Sequence, residues 1–130
     1  MVRTWTAHVA IIEDDHHLRN SIKDLMETVG YTSVLFESAD LFLESNEYNS
    51  VGCILADVRM PGRSGIDMLR ELKARPECPP IFIMSSYVDQ HMQALAVRYG
   101  ADGFFPKPVD SNLLLNSIQS IIGNAEWPEA

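Results

Sequence analysis

The sequence predicts an α/β protein: a doubly wound, five-stranded parallel sheet covered by five helices. Three observations predict it. Five short apolar runs alternate with segments of helical periodicity, which is the pattern of a parallel sheet with helices on both faces. The runs are apolar throughout or rich in β-branched residues, as strands covered on both sides are. Serine, aspartate and glycine fall where the helices should begin and stop.

His8–Ile12 is the first apolar run and reads as a strand. Leu18, Ile22, Leu25, Met26 and Val29 follow at helical spacing, with Gly30 as the stop. Thr32–Phe36 is short and β-branched, so it reads as the second strand. Ser38 suits the N-cap of a helix turning Ala39, Phe42 and Leu43 inward. Residues 51–56 form the next buried run, ended by Asp57 and a Met60-Pro61-Gly62 turn. Ser64 and Asp67 have the spacing of a capping box for a helix carrying Ile66, Leu69 and Leu72. Pro79 and Pro80 break the chain before a strand at 81–84. Met92, Leu95, Ala96 and Tyr99 then line a helix that stops at Gly100. Residues 103–105 form a very short strand, and Pro106 suits an edge position because it offers no ladder donor. Asp110 caps a last helix bearing Leu114, Ile118, Ile121 and Ile122.

The 130 residues are 46% hydrophobic and 22% charged, ordinary composition for one globular domain. The net charge of −8 opposes direct nucleic-acid binding by these residues. No apolar run is long enough to span a membrane, and the opening MVRTWTAHV lacks the pattern of a signal peptide. Cys53 lies inside an apolar run and reads as a small buried hydrophobe, with Cys78 as the only other cysteine. A cytoplasmic location is expected.

In an open parallel sheet, ligands bind beyond the carboxyl ends of the strands. Glu13 and Asp14 follow the first strand, Asp57 the third, Ser85 and Ser86 the fourth, and Lys107 the fifth. Taken singly, each has a bland reading: Glu13, Asp14 and Asp15 as helix caps, Asp57 as a turn residue, Ser85 as a cap, Lys107 as a solvated side chain. Taken together they put three carboxylates, a hydroxyl and an ammonium on one rim. Hard oxygen donors of this kind suit Mg²⁺, and phosphoryl transfer needs positioning and charge stabilisation more than a dedicated base.

The segments IIEDDHHLR (11–19), DVRMPGRSG (57–65), MSS (84–86) and FFPKP (104–108) resemble, as a set, the signatures of response-regulator receiver domains, most closely those joined to helix-turn-helix transcription factors. The resemblance covers about residues 8–122 and implies a flavodoxin-like sheet of order 2-1-3-4-5. Residues 1–123 would form the domain, and 124–130 a tail or the start of a linker. It implies that Asp57 is the phosphoacceptor and a metal ligand. Asp14 would be a direct ligand of Mg²⁺, with Mn²⁺ as the alternative. Glu13 would be an outer acidic partner, and the backbone carbonyl of Arg59 the third protein ligand. Ser85, Lys107 and Phe104 would bind and sense the phosphoryl group, and the bond before Pro108 would be cis. Phe104 replaces a tyrosine hydroxyl with packing alone. Glu13 stands where aspartate is commoner, and Ser86 where a small apolar residue is common.

The implied donor is a sensor histidine kinase or phosphotransfer protein. The protein would be no enzyme beyond its own phosphorylation and slow autodephosphorylation. Arg59 and Tyr87 are expected to overhang the phosphoryl group and restrict attacking water. Phosphorylation is expected to change the face of the fourth helix, last strand and last helix, promoting homodimerisation or releasing a following, DNA-binding domain. No membrane partner is expected. Three other readings are weaker. A dehalogenase-type hydrolase would need a second aspartate where Arg59 stands. A flavin binder would want a Ser/Thr/Gly-rich loop after the first strand, where this chain has acids. A receiver that only binds partners would have lost some of these positions.

Overall fold

A computed structural model describes residues 7–86 and 90–123. The chain alternates strand and helix throughout: β1 (His8–Ile12), α1 (His16–Glu27), β2 (Thr32–Phe36), α2 (Ala39–Ser45), β3 (Cys53–Asp57), α3 (Gly65–Lys73), β4 (Ile81–Ser85), α4 (Gln90–Arg98), β5 (Gly103–Pro106) and α5 (Ser111–Ile122). All strand pairs are parallel and the sheet order is β2-β1-β3-β4-β5. The predicted fold class is therefore the observed one.

Strand alternation divides the core into two layers. Ala10, Ile12, Ile54, Ala56, Ile81 and Ile83 face the side packed by α2, α3 and α4, where Phe42, Leu69 and Ala96 meet them. Val9, Ile11, Cys53, Leu55, Phe82 and Met84 face α1 and α5, against Ile22, Met26, Leu114 and Ile118. The three central strands are thus apolar on both faces, which is why their sequences read as unbroken runs.

The helix starts follow the local chemistry. Ser38 accepts from Leu41 N at 3.1 Å, and Asp110 from Leu113 N at 3.0 Å. Ser64 and Asp67 close a reciprocal capping box. Asp15 caps α1 by accepting from His17 N and Leu18 N, as the helix-cap reading of that residue has it.

Four strand boundaries differ from the sequence reading. The third strand starts at Cys53 rather than residue 51 and includes Asp57. The fourth extends to Ser85, and the fifth to Pro106. These three extensions occur because ladder pairing to a neighbour continues past the apolar run: Asp57 pairs with Met84, and Ser85 with Pro106. Helix α1 starts at His16, before its first apolar position, because its cap is Asp15. Of the apolar residues read on the last helix, Leu114 and Ile118 are buried, whereas Ile121 is 43% exposed. Cys53 is buried and free, as its apolar setting predicts.

Candidate functional site

The parallel arrangement brings the carboxyl ends of β1, β3, β4 and β5 to one edge. Glu13 directly follows β1, and its backbone N–H donates to Phe36 O at 3.0 Å, so the chain is still held as the strand ends. Asp57 is the last residue of β3, and its side chain is 8% exposed. Ser85 ends β4 and is buried. Its carbonyl accepts from Lys107 N at 2.7 Å, which ties the turn after β5 to β4. The Lys107–Pro108 bond is cis.

Lys107 reaches into the cluster. Its Nζ donates to Glu13 Oε1 at 2.7 Å and lies 3.1 Å from Asp57 Oδ2. Burial pulls the Lys107 ammonium down, but hydrogen bonds and charge from Glu13 and Asp57 outweigh that, and its pKa is raised. Glu13 is buried, and Asp15 N donates to its Oε2 at 3.1 Å. Burial pushes the Glu13 carboxyl up, the Lys107 and Asp15 hydrogen bonds pull it back, and the Asp57 charge adds to the rise, leaving it at about 7.

That shift has a defined sign. The folded state holds the Glu13 proton more tightly than the unfolded chain, whose value is 4.5. The stabilisation from the protonated form is therefore fully present below about pH 4.5 and is lost as pH rises through about 7. Urea unfolding in chelator from pH 5 to 8 should show wild type losing stability relative to Glu13→Gln, which cannot ionise. Parallel profiles for the two proteins contradict this account.

Glu13, Asp14 and Asp57 each offer a ligand oxygen, and these atoms lie within 4.8 Å of one another. The donor set fits a small hard cation such as Mg²⁺, and exposed Asp14 leaves room for coordinated water. Both Glu13 oxygens are already engaged by protein donors, which suits an outer rather than a direct role. Arg59 is exposed, two residues after Asp57. Phe104 is half-buried on the α4 side of the sheet, paired with Ile83, and Ser85 follows Ile83 on that side by strand alternation. Tyr87 lies outside the described residues.

Two features of the site were missed in the sequence. Arg19 donates from Nη1 to the Glu13 carbonyl at 2.6 Å and so holds the β1–α1 turn. Gly65 packs directly on the backbone of Asp57: a Cβ there would stand 2.9 Å from the Asp57 carbonyl carbon and 3.2 Å from Val58 Cα. Arg19 and Gly65 end two of the quoted signatures, but a position in a motif does not disclose what it touches.

A five-stranded parallel sheet of order 2-1-3-4-5, with buried acid and lysine meeting at its carboxyl edge, is the architecture of a receiver domain. Residues 9–119 match the response regulator receiver domain family, and the chain belongs to it. It is 37% identical over 123 residues to the transcriptional regulatory protein FixJ of Bradyrhizobium diazoefficiens, covering 95% of this chain and 60% of that one. It is 34% identical over 114 residues to the response regulator protein TodT of Pseudomonas putida, covering 88% and 50%. This chain therefore spans between half and two thirds of the length of these relatives. Among solved structures, response regulator StyR superposes with a TM-score of 0.80 at 32% identity, covering 88% of this chain and 58% of that one. A receiver protein from Pseudoalteromonas atlantica gives 0.83 at 23% identity, covering 92% and 99%, and supports the fold alone. Among the described residues no helix is long and apolar enough to cross a membrane.

Proposed function

We propose that this receiver domain accepts a phosphoryl group on Asp57 from a phosphohistidine of a sensor kinase or phosphotransfer protein, with Mg²⁺ bound at the acidic cluster. One observation carries the reading: Lys107 Nζ bridges Glu13 and Asp57 beside a third carboxylate at the carboxyl edge of the sheet. An Asp57 oxygen attacks phosphorus, the P–O bond forms, the P–N bond to the donor imidazole breaks, and that imidazole takes up a proton. Lys107 moves its charge from the two carboxylates to a phosphoryl oxygen, and the Ser85 hydroxyl holds another. Asp14, Asp57 and the Arg59 carbonyl would hold the metal, which neutralises the charge of nucleophile and phosphoryl oxygens when bound.

The protein acts on itself and has no separate substrate. Arg59, beside the acceptor, restricts in-line entry of water and slows loss of the phosphoryl group. Movement of Ser85 is transmitted to Phe104 on the same side of the sheet, so the α4–β5–α5 face is the readout. The longer relatives named as transcriptional regulators support a following output domain that binds DNA, released or dimerised by phosphorylation.

The metal site has a direct test. At pH 8, where Glu13 is largely ionised, three carboxylates with one lysine leave uncompensated negative charge, so Mg²⁺ should raise the melting temperature by binding the folded form. Asp14→Ala should melt higher than wild type in chelator, because one repelling carboxylate is gone, and should lose the Mg²⁺ response. A destabilised Asp14→Ala protein that keeps the full response removes Asp14 from the metal site.

A further inference from the structure

The loop between β3 and α3 follows Asp57 and carries Arg59. Its two ends are fixed by backbone bonds: Val58 N donates to Met84 O at 2.9 Å, and Gly65 N to Val58 O at 2.9 Å. Between them, residues 59–63 leave the sheet: Met60 packs against the core on the α2–α4 side, and the tip at Gly62 and Arg63 meets α2.

Asp40, in the first turn of α2, makes that contact. Its Oδ2 accepts from the backbone N–H of Arg63 at 3.5 Å, and its Oδ1 lies 3.7 Å from Arg63 Nε. Gly62, with φ of +81°, brings its backbone so close that a Cβ there would stand 2.5 Å from Asp40 Oδ2. The carboxylate thus spans two consecutive loop residues and addresses backbone as well as side chain. The contacts continue beyond it. Arg63 Nη1 donates to Glu71 Oε1 at 3.0 Å, and Arg75 Nη2 to Glu71 Oε2 at 2.8 Å. The Arg75 guanidinium lies 5.0 Å from the Tyr48 ring centroid, in the segment after α2. The loop is tied to α2, then to α3, and α3 back to the chain after α2.

We propose that Asp40 is a positioning residue for the metal and phosphoacceptor site: it holds the Gly62–Arg63 backbone against α2 and so sets the path of the loop that presents the Arg59 carbonyl. An exposed ion pair contributes little on its own, and Asp40 and Arg63 are 45% and 41% exposed. What gives this pair its consequence is the backbone contact. A loop whose tip is loose samples more paths than one held at both neck and tip, and a ligand carbonyl displaced by a fraction of an ångström is poorly matched to a cation that demands near-ideal octahedral geometry.

This inference rests on the metal site proposed above, and the test separates the two. Mg²⁺ affinity is measured by titration calorimetry for wild type, Asp14→Ala, Asp40→Ala and Asp40→Asn, with amide exchange followed at Gly62 and Arg63. Asp40→Ala should weaken Mg²⁺ binding about 3- to 10-fold, less than the roughly 10- to 100-fold lost when a partner bonded directly to a ligand is removed, because Asp40 acts through the loop backbone. It should also speed exchange at both amides, with melting temperature in chelator little changed. Asp40→Asn removes the charge but keeps an acceptor for Arg63 N–H, so it should recover most of both effects. An Asn variant as weak as the Ala variant assigns the effect to lost negative charge and overturns the proposal. So does an Asp40→Ala affinity within twofold of wild type, or a loss of affinity without faster exchange. If wild type itself binds no Mg²⁺, or Asp14→Ala binds it normally, the metal site fails and this inference falls with it.

Discussion

Asp57→Asn is expected to abolish phosphorylation completely. Incubation with acetyl phosphate and Mg²⁺ should add the mass of one phosphoryl group to wild type and none to the variant. The substitution replaces the nucleophilic oxygen by an amide while keeping shape and volume, so folding should survive. Asp57 lies 3.1 Å from Lys107 Nζ, yet it also repels Glu13 and Asp14. Losing that repulsion offsets losing the ion pair, and the variant should melt at or above the wild-type temperature. Equal labelling of the Asn protein moves the acceptor elsewhere. A variant that unfolds instead shows that the Lys107–Asp57 pair outweighs the repulsion, contrary to the charge balance described.

The second large effect belongs to Gly65, the first residue of α3. A methyl group there meets only backbone: the Asp57 carbonyl and Val58 Cα. No rotamer change relieves the clash, so the start of α3 must move off the end of β3. Alanine is the better helix former by up to about 1 kcal/mol, so propensity alone predicts a gain. Overpacking costs about 1–3 kcal/mol and occasionally more, and a backbone clash lies at the upper end. Gly65→Ala should therefore lose about 2–3 kcal/mol in urea unfolding, and its labelling by acetyl phosphate should slow, because the displaced start of α3 packs on the Asp57 backbone and donates to the Val58 carbonyl next to it. Stability within about 0.5 kcal/mol of wild type places the real contact farther away than described.

The two effects differ in how readily the sequence discloses them. Asp57 ends an apolar run, and three other strand ends carry acid, hydroxyl and base. That pattern is legible because a parallel sheet places all carboxyl ends on one edge, whatever the register. The alternation of strands and helices, and the caps at Ser38, Ser64 and Asp110, are legible for a related reason. Hydrophobic period and capping hydrogen bonds act over a few neighbouring residues, so they are written in consecutive letters.

Packing between distant segments is not written that way. Lys107 meets Glu13 across 94 residues of sequence, and the sequence assigned it to the phosphoryl group without showing that it bridges two carboxylates at rest. Asp40 reaches Arg63 across 23 residues, and Tyr31 donates its hydroxyl to the Gly123 carbonyl across 92. The outward turn of Ile121 likewise depends on which face of α5 the sheet accepts. The sequence by itself determined the fold class, the order of elements and the edge of the sheet where the chemistry gathers. Only the tertiary structure decided which side chains touch there and which glycine cannot bear a methyl group, because those distances are set by how whole elements pack and not by any local run of residues.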